Sequence, residues 1–254
     1  MIKLYYFTST GNSLYVAKEI SKKCTSKLVN IKDIINNKNY IEKDEVIGII
    51  YPLHCFGLPI IVEEFLRSLK IEGNPYIFAV QVTGGGASNN GFLEINNILA
   101  SKGLKLNNFE EVKYISNYTR AGRNPNKDRA IEAIEHESEK LNKFIEYINN
   151  REIKKVSLNK QILSKFVHKM WKDKYKKKDK NFISNSNCIG CNICKNICPV
   201  DNIEVKDKKV IWKGKCIDCM ACINICPKKA INIGTKTVKK DRYINPYIKV
   251  DELI

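Results

Sequence analysis

Eight of the ten cysteines lie between Cys188 and Cys226, and one spacing occurs there twice. Each copy places three cysteines at intervals of three residues, and a fourth follows four residues later, directly before a proline. The copies consist of Cys188, Cys191, Cys194 and Cys198, and of Cys216, Cys219, Cys222 and Cys226. Three thiolates spaced in this way can each bind one iron of a 4Fe-4S cubane. The repeated spacing therefore predicts two 4Fe-4S clusters.

The fourth cysteine of each copy indicates which thiols share a cluster. In this spacing it is carried away from its own copy and binds the other cluster. The first cluster is expected on Cys188, Cys191, Cys194 and Cys226, and the second on Cys216, Cys219, Cys222 and Cys198. This exchange would join the two halves and bring the clusters close enough for electron transfer. In so short a segment the clusters replace a hydrophobic core, so their loss is expected to unfold it.

Disulfides and zinc fit this pattern poorly. Disulfides need an oxidising compartment, and the apolar run at Met1–Phe7 is too short for a signal peptide. Structural zinc sites usually combine two separated C-x2-C pairs. Residues 181–235 instead resemble bacterial-type ferredoxins with two 4Fe-4S clusters. We therefore expect a cytoplasmic protein, and exposed clusters would favour an anaerobic cell.

A loop rich in hydroxyl groups follows the first apolar run, Ile2–Phe7, which is typical of a buried strand. After the loop, apolar residues recur at helical spacing up to about Cys24. The loop residues are Thr8, Ser9, Thr10, Gly11, Asn12 and Ser13. Backbone N–H groups and the helix dipole favour a phosphate at such a position. Because the loop lacks lysine and arginine, neutral donors would bind the phosphate.

These six residues match the first loop of flavodoxins, [ST]-x-T-G-N-[ST], and the resemblance implies that they bind the phosphate of FMN. In flavodoxins the loops after the third and fourth strands flank the flavin ring, and here these are Pro52–Leu58 and Thr83–Ala87. The ring contacts implied by the resemblance are Pro52, His54, Phe56, Gly57, Thr83, Gly84 and Gly85. The chain departs from ordinary flavodoxins, whose loops tend to be acidic and to place Trp or Tyr against the flavin. Two interpretations of Cys55 remain open, a reactive thiol and an inert packed side chain.

Strand and helix patterns alternate through the first 150 residues. Further strands are predicted at Val29–Ile31, Val46–Tyr51, Tyr76–Thr83 and Val112–Tyr118, and helices at Ile60–Leu69, Asn90–Lys102 and Asp128–Asn149. This alternation predicts an α/β fold with a doubly wound parallel sheet of five strands, and the resemblance implies that the sheet is flavodoxin-like. A small α+β ferredoxin domain follows. Ligands of such sheets bind beyond the carboxyl ends of the strands, where the three loops lie.

The remaining segments are less informative. Residues 1–150 are interpreted as the FMN-binding domain, 151–180 as a basic linker helix, 181–235 as the ferredoxin domain and 236–254 as a C-terminal strap without ligand chemistry. In the linker an apolar stripe runs from Ile162 to Tyr175, and ten lysines lie between residues 154 and 178. Packing of this stripe on the rest of the chain is favoured over a membrane or partner contact. Arg120 and Arg123 could bind an anionic ligand or be solvated.

Positive charge is concentrated in the C-terminal part of the chain. The formal net charge is +17, and residues 151–254 carry 25 Lys and Arg against 10 Asp and Glu. Two clusters with eight thiolates would lower the total by about 4 charges. A redox partner protein with an acidic docking surface is therefore expected. Nucleic-acid binding is not favoured, because no recognition fold accompanies the lysines.

The order of the domains resembles a family of flavodoxin–ferredoxin fusion proteins of anaerobic bacteria. This resemblance implies FMN, two 4Fe-4S clusters and electron transfer between them within one chain. Because the sequence contains no nicotinamide domain, acid/base pair or nucleophile triad, an electron carrier is favoured. Two alternatives remain open: an FMN-dependent oxidoreductase that reduces a small acceptor such as a quinone, and a ferredoxin with an empty docking domain.

Overall fold

A computed structural model describes residues 1–37, 40–86, 88–121, 125–155 and 162–254, with only the backbone described at 175–177. The first half contains, in chain order, β1 (Ile2–Tyr6), α1 (Asn12–Lys23), β2 (Ser26–Asn30), α2 (Ile31–Ile34), β3 (Ile41–Glu42), β4 (Val46–Pro52), α3 (Ile60–Ser68), β5 (Lys70–Ile71), β6 (Tyr76–Thr83), α4 (Asn90–Ala100), β7 (Asn108–Lys113) and α5 (Lys127–Asn149). The second half contains α6 (Ile162–Asp173), β8 (Phe182–Ser184), α7 (Ile193–Asn196), β9 (Ile203–Lys206), β10 (Lys209–Trp212), α8 (Ala221–Ile225) and β11 (Ile231–Ile233).

Five strands form one parallel sheet in the order β2-β1-β4-β6-β7. Counted among themselves along the chain, these strands have the order 2-1-3-4-5, which defines the flavodoxin-like doubly wound fold. The prediction of a five-stranded parallel sheet is therefore confirmed.

Both faces of this sheet are buried, because side chains alternate along each strand. In and just after β1, Leu4 and Tyr6 belong to one hydrophobic core, and Tyr5 and Phe7 belong to the other. Helices α1 and α5 complete the first core, and α3 and α4 complete the second. The near-continuous apolar runs of β4 and β6 follow from burial on both faces.

The last strand of the sheet lies earlier than the sequence analysis placed it. The prediction Val112–Tyr118 is wrong, since β7 spans Asn108–Lys113. This strand is at the edge of the sheet, and its adjacent residues Glu110 and Glu111 are half-buried on opposite faces, which interrupts the apolar pattern. The residues from Ile115 to Tyr118 form a loop at its carboxyl end.

The second half is a small α+β arrangement built on two antiparallel strand pairs, β9 with β10 and β8 with β11. Its own core contains Phe182, Ile203, Val210 and Ile223. Other residues of this half, including Ile225 and Ile248, belong to the core completed by α1 and α5. The two halves therefore share buried apolar contacts.

Helix α6 packs with an unexpected face. Ile162, Leu163, Phe166 and Met170 are exposed, whereas His168 and Trp171 are buried. The expectation that the whole apolar stripe packs on the chain is therefore wrong for these four residues. His168 can be buried because Gly57 has no side chain. A Cβ at Gly57 would lie 2.5 Å from the His168 ring. Among the described residues no helix combines the length and the apolar character that a membrane span needs.

Candidate cofactor sites

Two small cavities lie in the second half, and each is lined by four cysteines. The first is lined by Cys188, Cys191, Cys194 and Cys226, and the second by Cys198, Cys216, Cys219 and Cys222. The structure thus brings together both sets that the spacing predicts, including the exchanged fourth cysteine. Four thiols around a small apolar cavity fit a 4Fe-4S cubane.

The backbone of the two copies curls in the same way. Gly190 and Asp218 stand directly before the second cysteine of each copy, with φ of 76° and 61°. Asn192 and Met220 stand directly after it, with φ of 61° and 63°. These left-handed residues turn the chain between consecutive cysteines and so direct the three thiols to one cavity. The repeated spacing therefore corresponds to a repeated backbone conformation.

Burial controls the chemistry of these thiols. It raises the pKa of Cys194 to about 11 and that of Cys216 to about 12, and neighbouring thiols add to the shift. Such groups are neutral thiols unless a cation binds them, and iron supplies that charge. Backbone N–H groups of Asn202 and Ala230 donate to the sulfurs of Cys198 and Cys226 at 3.3 and 3.2 Å. Such bonds tune the potential of a bound cluster.

A third cavity, of about 320 Å³, lies at the carboxyl ends of the parallel strands. Ten of the thirteen predicted flavin-site residues line it: Thr8, Ser9, Thr10, Asn12, Ser13, Pro52, His54, Phe56, Thr83 and Gly84. The other three, Gly11, Gly57 and Gly85, are not in the lining. Gly11, with φ of 97°, instead faces Asn245 and Ile248, and Gly57 faces His168.

The first loop presents buried hydroxyl groups to this cavity. The side-chain oxygens of Ser9 and Ser13 are buried and have no hydrogen-bond partner among the described residues. The Thr8 hydroxyl accepts from the Gly11 N–H at 3.0 Å and so shapes the turn. Buried polar groups are normally paired, so these two hydroxyls fit a ligand that accepts hydrogen bonds, such as a phosphate.

The loop after β4 forms the opposite wall. Its His54 N–H donates to the Gly57 carbonyl at 3.0 Å, and the Gly57 N–H donates back to His54. The His54 ring meets Phe7 and Trp171 edge-on, and burial lowers its pKa to about 4. The imidazole is therefore neutral at pH 7. Burial also raises the pKa of Cys55, which keeps that side chain a thiol. Ala87 and Arg123 lie outside the described residues.

Comparisons with known proteins address the two halves separately. A family model described as a 4Fe-4S dicluster domain matches residues 187–231. Together with the strand order, this match decides the architecture. The chain is a flavodoxin-like domain fused to a ferredoxin domain. An iron–sulfur domain on such a fold supports a role in electron transfer.

Several solved structures are similar to the first half of the fusion. A putative flavoprotein from Bacteroides uniformis is 14% identical, with a TM-score of 0.35, over 46% of this chain and 93% of that one. A second, from Bacteroides eggerthii, is 16% identical, with a TM-score of 0.36, over 48% and 94%. A Fusobacterium nucleatum flavodoxin mutant bound to flavin mononucleotide is 22% identical, with a TM-score of 0.33, over 46% and 77%. The fold of the first half is defined by its strand order. No curated protein matches the chain.

Sequence reasoning missed a further group of residues in the lining of the third cavity. It includes Ser116, Asn117 and Tyr118 after β7, Trp171 of α6, and Asp218 and Cys219 of the ferredoxin half. The correct end of β7 would have pointed to the first three. No local signal points to the last three, which reach the cavity only through the packing of the two halves.

Asp218 connects the parts of the fusion around this cavity. Its side chain is fully buried, and its carboxylate accepts from Arg120 Nε at 2.7 Å and from Tyr118 OH at 2.5 Å. Lys178 Nζ lies 3.3 Å away, and Trp171 Nε1 donates at 3.4 Å. Arg120 therefore contacts a buried carboxylate of the ferredoxin half, which is neither of the two roles, binding an anionic ligand or being solvated, that the sequence left open for it.

Proposed function

We propose that the fusion transfers electrons between FMN and two 4Fe-4S clusters that it holds itself. One observation carries this proposal. The third cavity is lined both by residues of the loop 8–13, called the phosphate loop below, and by Cys219. Cys219 also lines the second cysteine cavity. The residues of one proposed cluster site therefore form part of the wall of the proposed flavin site.

The residues of the third cavity fit FMN. Its volume of about 320 Å³ lies within the usual range of ligand cavities, about 300–1,000 Å³. Ser9, Thr10, Asn12 and Ser13 would bind the phosphate, and the loops with His54 and Gly84 would enclose the ring. When bound, FMN supplies a carrier of one or two electrons, and each 4Fe-4S cluster supplies a carrier of one.

The two cysteine cavities differ in their surroundings, which suggests an order. Cys219 reaches the flavin cavity, so the set with Cys198, Cys216 and Cys222 would hold the near cluster. In the other set Cys191 is exposed, and so is Ile189 beside it. The far cluster would therefore exchange electrons with an external partner at this surface.

The charge around the far set indicates the kind of partner. Lys208 and Lys228 are exposed, and Lys228 lines the far cavity. We propose an acidic redox protein as the partner, because opposite charges steer such encounters and the C-terminal half is strongly basic. We place this activity in the cytoplasm, where thiols stay reduced.

The test is the cofactor content of protein purified and reconstituted without oxygen. We expect about eight irons and eight sulfides per chain, and one FMN released by acid. Eight irons without flavin, even after FMN is added, would overturn the flavin half and leave a ferredoxin with an empty docking domain. Steady reduction of a quinone without any partner protein would instead favour the oxidoreductase alternative.

A further inference from the structure

Helix α6 turns its aliphatic side to solvent. The exposed fractions of Ile162, Leu163, Phe166 and Met170 are 71%, 75%, 59% and 42%. Ile162, Phe166 and Met170 recur every four residues with Leu163 beside them, so the four side chains form one continuous surface. Contiguous apolar surfaces of this kind mark interaction sites in soluble proteins.

The opposite side of α6 is firmly docked, so the exposure does not result from a detached helix. His168 Nδ1 donates to the Cys55 carbonyl at 3.1 Å, and its ring stacks on Trp171 with centroids 5.6 Å apart. Lys172 Nζ lies 2.8 Å from Glu63 and 3.3 Å from Glu94. The docked side uses specific polar contacts and leaves the aliphatic side free.

Lysines lie beside the aliphatic surface. Lys165 and Lys169 are exposed on α6, and Lys174 is exposed directly after it. Within the described part of the chain, none of the three forms an ion pair with an acidic residue. An apolar face bordered by unpaired lysines is typical of helices that lie in the headgroup layer of a membrane.

We propose that α6 binds the surface of a membrane that contains anionic lipids. Ile162, Leu163, Phe166 and Met170 would enter the acyl boundary, and the lysines would contact lipid phosphates. A second copy of the chain fits less well, because it would bring Lys165 and Lys169 of both copies together. A small acidic protein also fits less well, because its charged surface would face the four apolar side chains, whereas a membrane offers both an acyl boundary and anionic headgroups.

The test is cosedimentation of the holoprotein with lipid vesicles. We expect binding to vesicles of phosphatidylcholine with phosphatidylglycerol, and weak binding to phosphatidylcholine alone or at high salt. The double variant Leu163→Ser/Phe166→Ser is expected to lower the partition coefficient at least about tenfold. Lys165→Glu/Lys169→Glu is expected to remove the preference for the anionic lipid.

A matched control is Ile211→Ser, which changes an exposed apolar side chain on β10 and should leave vesicle binding unchanged. Cluster absorption reports whether each variant is folded. Absence of binding to any vesicle would overturn the proposal. Loss of a dimer in the double variant, seen by sedimentation velocity, would instead assign the surface to a second copy. If an acidic protein that binds the unaltered chain no longer binds the double variant, the surface would be assigned to that protein.

A separate observation concerns the C-terminal tail, where the sequence analysis found no ligand chemistry. Tyr243 OH and Asn245 Nδ2 both donate to Asn12 Oδ1, at 2.7 and 2.9 Å. Asn245 Oδ1 accepts from the Tyr247 N–H at 3.0 Å, which fixes the orientation of its own amide. The Asn245 N–H donates to the Thr10 carbonyl at 2.8 Å. The tail therefore holds the phosphate loop at two of its residues.

These contacts orient one polar group of the cavity. Because Asn12 Oδ1 is occupied by two donors from the tail, Nδ2 is the end of this amide that remains for an anion. We infer that Tyr243 and Asn245 are positioning residues of the phosphate subsite, an inference that rests on the proposed binding of FMN. They act on the phosphate through Asn12 and do not line the cavity themselves.

The test compares FMN with riboflavin, which lacks the phosphate, by fluorescence titration of flavin-free protein that retains its clusters. In Tyr243→Phe/Asn245→Ala the Kd for FMN is expected to rise at least about tenfold, with an unchanged Kd for riboflavin. Tyr247→Phe is the control, because its ring stacks on Tyr15 and, among the described residues, the donors to Asn12 Oδ1 are Tyr243 and Asn245. An equal change for both flavins, or no change, would overturn the inference. If the unaltered chain does not bind FMN, both this inference and the proposed function are overturned.

Discussion

Replacing Cys219 with alanine is expected to remove the near cluster and to disconnect the flavin from the far one. Cys219 lines both the flavin cavity and the second cysteine cavity. The iron content should fall to about four per chain, because the other four-cysteine set is intact. A light pulse would then reduce the flavin. The rate at which the remaining cluster is reduced, followed by its absorbance, should fall to the background rate.

The matched control for this experiment is Cys191→Ala. Cys191 is exposed, belongs to the other cavity and does not line the flavin cavity. This variant should also lose about half of its iron but keep rapid electron transfer from the flavin to the near cluster. Unaltered FMN affinity and circular dichroism would show that both variants are folded. Equal electron-transfer rates in the two variants would contradict the proposed order of the clusters.

The second large effect is expected from Asp218→Asn. Asp218 is fully buried and compensates two cations, Arg120 at 2.7 Å and Lys178 at 3.3 Å. Removing one partner of a buried ion pair costs about 3–5 kcal/mol, because the other charge is left uncompensated. Since both cations keep some contact with solvent, we expect about 2–4 kcal/mol less free energy of unfolding, measured in urea without oxygen.

Glu45→Gln provides the comparison for this measurement. Glu45 forms an ion pair with Arg151 at 3.1 Å, but both side chains are exposed. Its loss should change the free energy of unfolding by less than about 1 kcal/mol. An Asp218→Asn variant as stable as Glu45→Gln would show that the buried contacts do not stabilise the junction of the two halves.

Metal removal provides a further check. Chelation of iron should leave eight thiols, most of them neutral because of burial, around two cavities that no side chain fills. We expect the segment around β8 to β11 to unfold, while the parallel sheet, whose two cores consist mostly of residues of the first half, keeps its far-ultraviolet circular dichroism. A chelated chain with unchanged hydrogen exchange in both halves would contradict this expectation.

Local patterns in the sequence were sufficient to predict the parts of this protein. The cysteine spacing predicted the two four-thiol sets, because turns of three residues bring neighbouring cysteines to one side of the chain. The apolar runs predicted β4 and β6 within a residue of their observed ends, since burial on both faces leaves an unmistakable pattern. The edge strand β7 was misplaced because four of its six side chains are polar.

Only the tertiary structure decided how these parts meet. Nothing near Asp218 or Cys219 in the chain indicates that they line a cavity of the parallel sheet, because the residues they face there are about 50 to 210 positions away. Likewise, the apolar stripe of α6 predicted a buried face that includes Trp171. The space at Gly57 and the carboxylate of Asp218 buried Trp171 together with His168 and left Ile162, Leu163, Phe166 and Met170 exposed. Periodicity reports which residues avoid water within one element. The choice between competing surfaces depends on steric fit and charge between residues far apart in the chain.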